Sequence, residues 1–166
     1  MATGPRYNVA FRRRREGRTN YYTRRKLLRG EELRAVVRRS NKNVNIQFEE
    51  FGMEGDKVVV SATSKELAKY GWDRSCSNIP AAYLTGYLVG KRAVKEGIEY
   101  AVLDIGMQKP KHGGVLFAAV AGMCDAGLEV PHGEDVLPEE DRLNGAHIDE
   151  SIAALVAAVK EKMEAE

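Results

Sequence analysis

Charge is spread so unevenly along this chain that only part of it can form a core. Fourteen of its twenty-six Lys and Arg residues fall within residues 1–42, against three acids, a balance of +11. The other 124 residues carry twelve basic and twenty-one acidic side chains, a balance of −9. A run such as Arg12-Arg13-Arg14-Arg15 repels itself and resists collapse. The packed body is therefore expected over residues 43–166, with residues 1–42 as a basic arm addressed to a polyanion. The formal net charge of +2 conceals this division.

Other classes fall away on composition. Hydrophobic residues make up 43% of the chain, enough for a core in one domain. The longest apolar run, around Gly114–Gly122, is far below the ~18 residues of a membrane span. The N-terminal charges are followed by no apolar segment, so no secretory signal is expected. Cys76 and Cys124 lie far apart and fit no ligand spacing, which suits a reduced cytoplasmic protein without disulfides.

Periodicity outlines the body. Gly4-Pro5 breaks helix early, so residues 1–18 read as extended. Thr19 is a candidate cap for a basic helix reaching about Arg29 and stopped by Gly30. A second helix from Glu31 would set Leu33, Val36 and Val37 on one side and Arg34, Arg38 and Arg39 around the other. Val44, Ile46 and Phe48 alternate with polar residues, as in a half-buried strand, and Lys57–Ala62 reads as its return strand after a turn at Gly52–Asp56. Thr63 and Glu66 form a capping-box pattern for a short helix ended by Gly71. Asn78–Glu96 is a longer helix closed by Gly97. Tyr100–Ile105 is a buried strand, Val115–Ala126 a helix, and Leu128–Val130 a short strand before an irregular acidic stretch to Asn144. The final helix aligns Ile148, Ile152, Leu155, Val156, Val159 and Met163 on one stripe. Strand–helix alternation argues an α/β fold with a mixed sheet.

The arm carries the clearest chemistry. Its charges are mostly Arg, whose planar fork pairs with phosphate oxygens and stacks on bases. Tyr7, Phe11, Tyr21 and Tyr22 are interleaved with them, and unpaired bases stack on such rings for about 1–3 kcal/mol each. The mixture suits irregular RNA better than duplex DNA. A solvated tail, a localisation signal and an anionic-membrane patch are the alternatives, and no amphipathic anchor supports the last. The loop Gly106–Gly114 feeds a helix start, a natural phosphate site to which Lys109, Lys111 and His112 add charge; an ordinary solvated connection explains it equally. Thr85–Arg92 superficially suggests a phosphate loop, but only three residues separate its glycines and Arg92 stands where Ser or Thr is needed. Ala82, Gly86, Gly90 and Ala93 instead form a small-residue stripe, expected to lie against the sheet or against RNA. Lys91, Arg92 and Lys95 lie off that stripe, near phosphate or in solvent. Cys124 shares a helical spacing with Phe117 and Val120 and reads as core. Asp104, Asp125 and Asp135 form no metal motif, and His112, His132 and His147 lack ligand spacing. No nucleophile–base pair stands out.

In order along the chain, ATGPRY at 2–7, FRRRREGRTNYY at 11–22, RRSNKNVNIQ at 38–47, AKYGW at 68–72, NIPAAYLTGYLVGKRA at 78–93, EYAVLDIG at 99–106 and FAAVAGMCDAGLEVPHGEDVLPEEDRLNGAHI at 117–148 resemble the archaeal-type family of the universal large-subunit ribosomal protein eighteen. That family is the 5S-rRNA-binding one related to eukaryotic large-subunit protein five. The resemblance implies a three-layer α/β body of the ribonuclease-H-like motif without enzymatic activity. It implies no cofactor, and as partners 5S rRNA, 23S rRNA and other large-subunit proteins of the central protuberance, in the cytoplasmic ribosome. It carries rRNA contact onto Arg12–Arg15, Arg18, Tyr21, Tyr22, Arg24 and Arg25. From charge and position we add Arg6, Tyr7, Lys26, Arg29, Arg38, Arg39, Lys42, Lys91, Arg92, Lys109 and Lys111. The competing functions are a metal-dependent RNA-processing nuclease on the same kind of sheet, and a general nucleic-acid-packaging protein.

Overall fold

Alternation at Val44, Ile46 and Phe48 becomes one buried face of a strand, β2 (Val44–Glu50), whose Asn45 stays exposed. It returns antiparallel as β3 (Lys57–Thr63), with Ile46 opposite Ala62 and Phe48 opposite Val60, and a bulge follows Phe48. The computed structural model describes residues 4–165. A strand precedes this hairpin, β1 (Arg34–Arg39), antiparallel to β2, and a three-residue strand, β4 (Val102–Asp104), runs parallel to β1. The sheet order is β3-β2-β1-β4, a mixed sheet as expected.

β1 overturns the helix expected from Glu31. Glu31 turns the chain in the left-handed region (φ 57°) and releases it into an inner strand. The spacing of Leu33, Val36 and Val37 fits a helix only if the arginines face water. Arg34 is in fact 1% exposed, and the true period is two: Ala35 and Val37 meet Phe48 and Ile46 on the core side, while Arg34, Val36 and Arg38 share the other face. A short apolar segment cannot choose between the two periods by itself.

The Thr63–Glu66 capping box forms, with the Thr63 N–H donating to Glu66 Oε1 at 2.9 Å, but it starts a 3-10 helix, Ser64–Tyr70, closed by Gly71. The long helix α3 (Ile79–Lys95) begins where Asn78 Oδ1 accepts the Ala81 N–H at 3.0 Å. Every residue from Ile79 to Gly90 is buried, because α3 is covered by β2 and β3, by helix α4 (Val115–Asp125) and by helix α6 (Glu150–Glu164). The small-residue stripe faces α4, not the sheet. A Cβ on Gly86 would collide with the Ala119 carbonyl oxygen, and one on Gly122 with the Tyr83 carbonyl oxygen, so the helices touch backbone to backbone. Cys124 is half-buried against this core, and burial pushes its thiol up.

The region expected to be irregular holds a 3-10 turn at Glu134–Val136 and a short helix, α5 (Glu140–Asn144). Leu128–Val130 makes a single parallel bridge, Glu129 with Tyr100, and not a strand. On α6, Ile152, Val156, Val159 and Met163 are buried, whereas Ile148 precedes the helix and is exposed. Tyrosine hydroxyls join the three main helices. Tyr83 donates to Asp125 on α4 at 2.6 Å and accepts from Lys160 on α6 at 3.0 Å, and Tyr87 donates to Glu164 at 2.7 Å. Burial first, then Glu164, pushes Tyr87 up to about 12.

Candidate nucleic-acid interface

The arm contains two short helices, α1 (Arg12–Arg15) and α2 (Tyr21–Leu27), neither with a buried residue. Four guanidinium groups in one turn tolerate each other because they are exposed and because Glu16 lies between Arg12 (3.5 Å) and Arg18 (3.2 Å). Asn20, not Thr19, caps α2, its Oδ1 accepting the N–H groups of Tyr22 at 3.1 Å and Thr23 at 3.3 Å. Thr19 instead accepts from Arg13 Nε at 2.9 Å. Phe11 meets Tyr21 edge to face, with centroids 5.2 Å apart, and the Arg14 guanidinium sits 5.5 Å from the Tyr22 ring centre. Tyr7, Phe11, Arg14, Tyr21, Tyr22 and Arg25 thereby line one open cleft of about 710 Å³. Rings and guanidinium groups on one surface provide stacking faces beside phosphate donors. Arg6, Arg12, Arg15, Lys26 and Arg29 are exposed around it.

Tyr22 is 71% exposed, so its ring contributes little to the fold. Tyr22→Ala is expected to leave the melting temperature of the free protein unchanged and to weaken RNA binding by about 1–3 kcal/mol. A lower melting temperature with undiminished affinity would assign the ring to packing instead. Thermal melts beside filter-binding titrations separate the outcomes.

Besides the pairings within the arm, three candidate contacts are tied to acids of the packed body. Arg24 Nη2 donates to both oxygens of Asp56, at 2.8 and 2.7 Å. Arg38 donates to the Asp104 carbonyl oxygen at 2.6 Å and to its carboxylate at 3.1 Å. Arg92 donates to Glu66 at 2.7 Å and to the Ser61 carbonyl oxygen at 2.8 Å. Burial alone would raise the Glu66 carboxyl, but the hydrogen bonds from Arg92 and from the Thr63 N–H hold it below the usual carboxylate range. Lys91 lies 5.6 Å from the Tyr87 ring centre and lines a small cleft with Arg92 and Met163 of α6. It therefore stands with α3 and α6, not with the arm.

A second basic surface lies past the carboxyl ends of the parallel pair β1 and β4, where open α/β sheets form their crevice. Arg39, Lys109, Lys111, His112 and Arg142 line a cleft of about 540 Å³ there, beside the start of α4. Lys42 is exposed in the β1–β2 turn. Arg142 escaped sequence reading because its stretch is acidic; only the fold brings it beside Lys109 and Lys111. Arg34 escaped too, and its one sequence trace is Asp104, a lone carboxylate ending an apolar strand. Among the described residues, no cluster of His, Cys, Asp or Glu is arranged to hold a metal ion. No described helix is long and apolar enough to cross a membrane.

Sequence comparison sets this geometry among known proteins. Residues 5–99 match the sequence model of a family described as ribosomal large subunit proteins 60S L5 and 50S L18. Large ribosomal subunit protein uL18 of Methanothermobacter thermautotrophicus is 56% identical over 155 residues, covering 93% of this chain and 81% of that protein. The uL18 of Methanoregula boonei is 55% identical over 148 residues, covering 89% and 85%. That of Methanococcoides burtonii is 49% identical, covering 100% of this chain and 99% of its own.

Proposed function

Because the chain belongs to the family of ribosomal large subunit proteins 60S L5 and 50S L18, a structural and non-enzymatic family, we propose that it binds 5S rRNA and helps dock it onto 23S rRNA in the central protuberance of the large subunit. One observation carries the reading: four exposed arginines in a single turn stand beside a cleft lined by Tyr7, Phe11, Tyr21 and Tyr22. Phosphate contacts from Arg12–Arg15, Arg18 and Arg25 fix register, and the rings take unpaired bases. The surface of Arg39, Lys42, Lys109 and Lys111 extends the contact to a second RNA segment. Arg24, Arg38 and Arg92 act through protein partners, and other large-subunit proteins complete the surroundings.

Retention of RNA by the tagged full chain, followed by sequencing, tests this directly. The expected result is enrichment of 5S rRNA that excess duplex DNA does not displace. Equal displacement by duplex DNA would favour a general packaging protein. Cleavage of the retained RNA on adding Mg²⁺ or Mn²⁺ would favour a nuclease.

A further inference from the structure

Asp56 is an acid set among cations, and it accepts from both the arm and the sheet. Besides its two bonds from Arg24, Asp56 Oδ2 accepts from Arg34 Nη2 at 2.6 Å. Arg34 Nη1 continues to Asp104 Oδ2 at 3.1 Å, and the other Asp104 oxygen accepts from Arg38 at 3.1 Å and from the Gly106 N–H at 2.7 Å. An unbroken path of charge-assisted bonds therefore runs from α2, under the sheet, to the first residue of the Gly106–Gly114 loop. Both of its ends carry the cationic surfaces described above. No residue of the arm's two helices is fully buried, so packing alone fixes only weakly where they sit. Burial alone would raise the Asp56 carboxyl, but the bonds from Arg24 and then Arg34 hold it below the usual range, so it remains an acceptor at neutral pH.

We propose that Asp56 is a positioning residue for RNA binding: through Arg24 it pins the arm to the buried Arg34–Asp104 frame, so that arm and loop meet one RNA at a fixed separation. The inference rests on the RNA-binding reading above. Its consequence runs against simple electrostatics. Deleting an acid from a phosphate-facing surface should tighten binding. If Asp56 positions the arm, deletion weakens binding, because only the docked fraction of molecules is competent.

The test is Asp56→Ala in the full chain, titrated with a 5S rRNA transcript, beside tryptic cleavage of the free protein after Arg25, Lys26 and Arg29. Arg34 keeps Glu49 at 3.1 Å and Asp104, so it is not left unpaired. We expect about three- to tenfold weaker binding, the size of one good partly exposed ion pair, with faster cleavage in the arm; the melt falls for Asp56→Ala, which also takes a bond from the buried Arg34, and stays unchanged for Arg24→Gln. Arg24→Gln should reproduce both effects, and the double variant should be no worse than Asp56→Ala alone, since the Arg24–Asp56 contact is then removed twice. Equal or tighter binding by Asp56→Ala, or unchanged arm cleavage, overturns the proposal. Should Asp56→Ala not fold, arm cleavage in Arg24→Gln decides by the same criterion. Wild-type protein that does not prefer 5S rRNA to duplex DNA sinks the functional reading instead, while cleavage of the free protein still reports whether the arm is docked.

Discussion

A chain lacking residues 1–29 is expected to keep a folded body and lose 5S rRNA affinity by at least about a hundredfold. The fold survives because α1 and α2 contribute no buried residue, and because Asp56, deprived of Arg24, retains Arg34. The affinity falls because two kinds of contact go together. Even two stacked bases at the low end of about 1–3 kcal/mol each account for more than tenfold. The lost phosphate contacts add to this, and they leave a signature. Log K falls with log[salt] by nearly one unit per neutralised phosphate, so a binder of 6–10 phosphates has a slope of several units. Replacing Arg12–Arg15 by Gln should flatten it by about one unit for each contact that was real. Filter binding across a KCl series gives both quantities, and far-UV circular dichroism reports the body. Undiminished affinity in the truncated chain would place the RNA site on the body. An unchanged slope in the Gln variant would mean that the four arginines face only water.

What could be read before folding follows from which interactions are local. The β2–β3 hairpin, the extent of the long helix α3, the capping box of Thr63 and Glu66 and the apolar stripe of α6 are set by residues within a few positions of one another, and their spacing reveals them. The arm's composition was legible for the same reason. Local spacing is silent where a distant partner decides the outcome. Arg34 looks like a solvated helix residue until Asp56 and Asp104, twenty-two and seventy positions away, arrive to pair its two terminal nitrogens. Those carboxylates let an arginine occupy an inner strand, which no window around residue 34 can reveal. Arg24 keeps the company of RNA contacts in sequence, and only the fold shows that its Nη2 is held by Asp56. The glycine stripe of α3 announced close approach but not its neighbour, since the matching Gly122 lies on another helix.

That neighbour decides what Gly86 tolerates. Gly86→Val is expected to destabilise the free protein by about 3 kcal/mol, the upper end for overpacking. The obstacle is rigid. A Cβ at Gly86 overlaps the Ala119 carbonyl oxygen and stands 2.9 Å from its carbonyl carbon and 3.0 Å from its Cα, all backbone atoms that cannot rotate away. Moving α4 aside would also break the reciprocal fit of Gly122 against Tyr83 and Tyr87. For a domain of this size the loss corresponds to a melting temperature lower by roughly 6–12 °C. Gly86→Ala gives the sharper sign. Helix propensity alone predicts that it stabilises α3 by about 1 kcal/mol. The collision predicts a net loss, because even one methyl cannot be placed without parting the helices. A raised melting temperature for Gly86→Ala would show that the α3–α4 crossing is loose. An unshifted melt combined with much weaker RNA binding would put RNA, not α4, against this face; the burial of Gly86 in the free protein argues for α4.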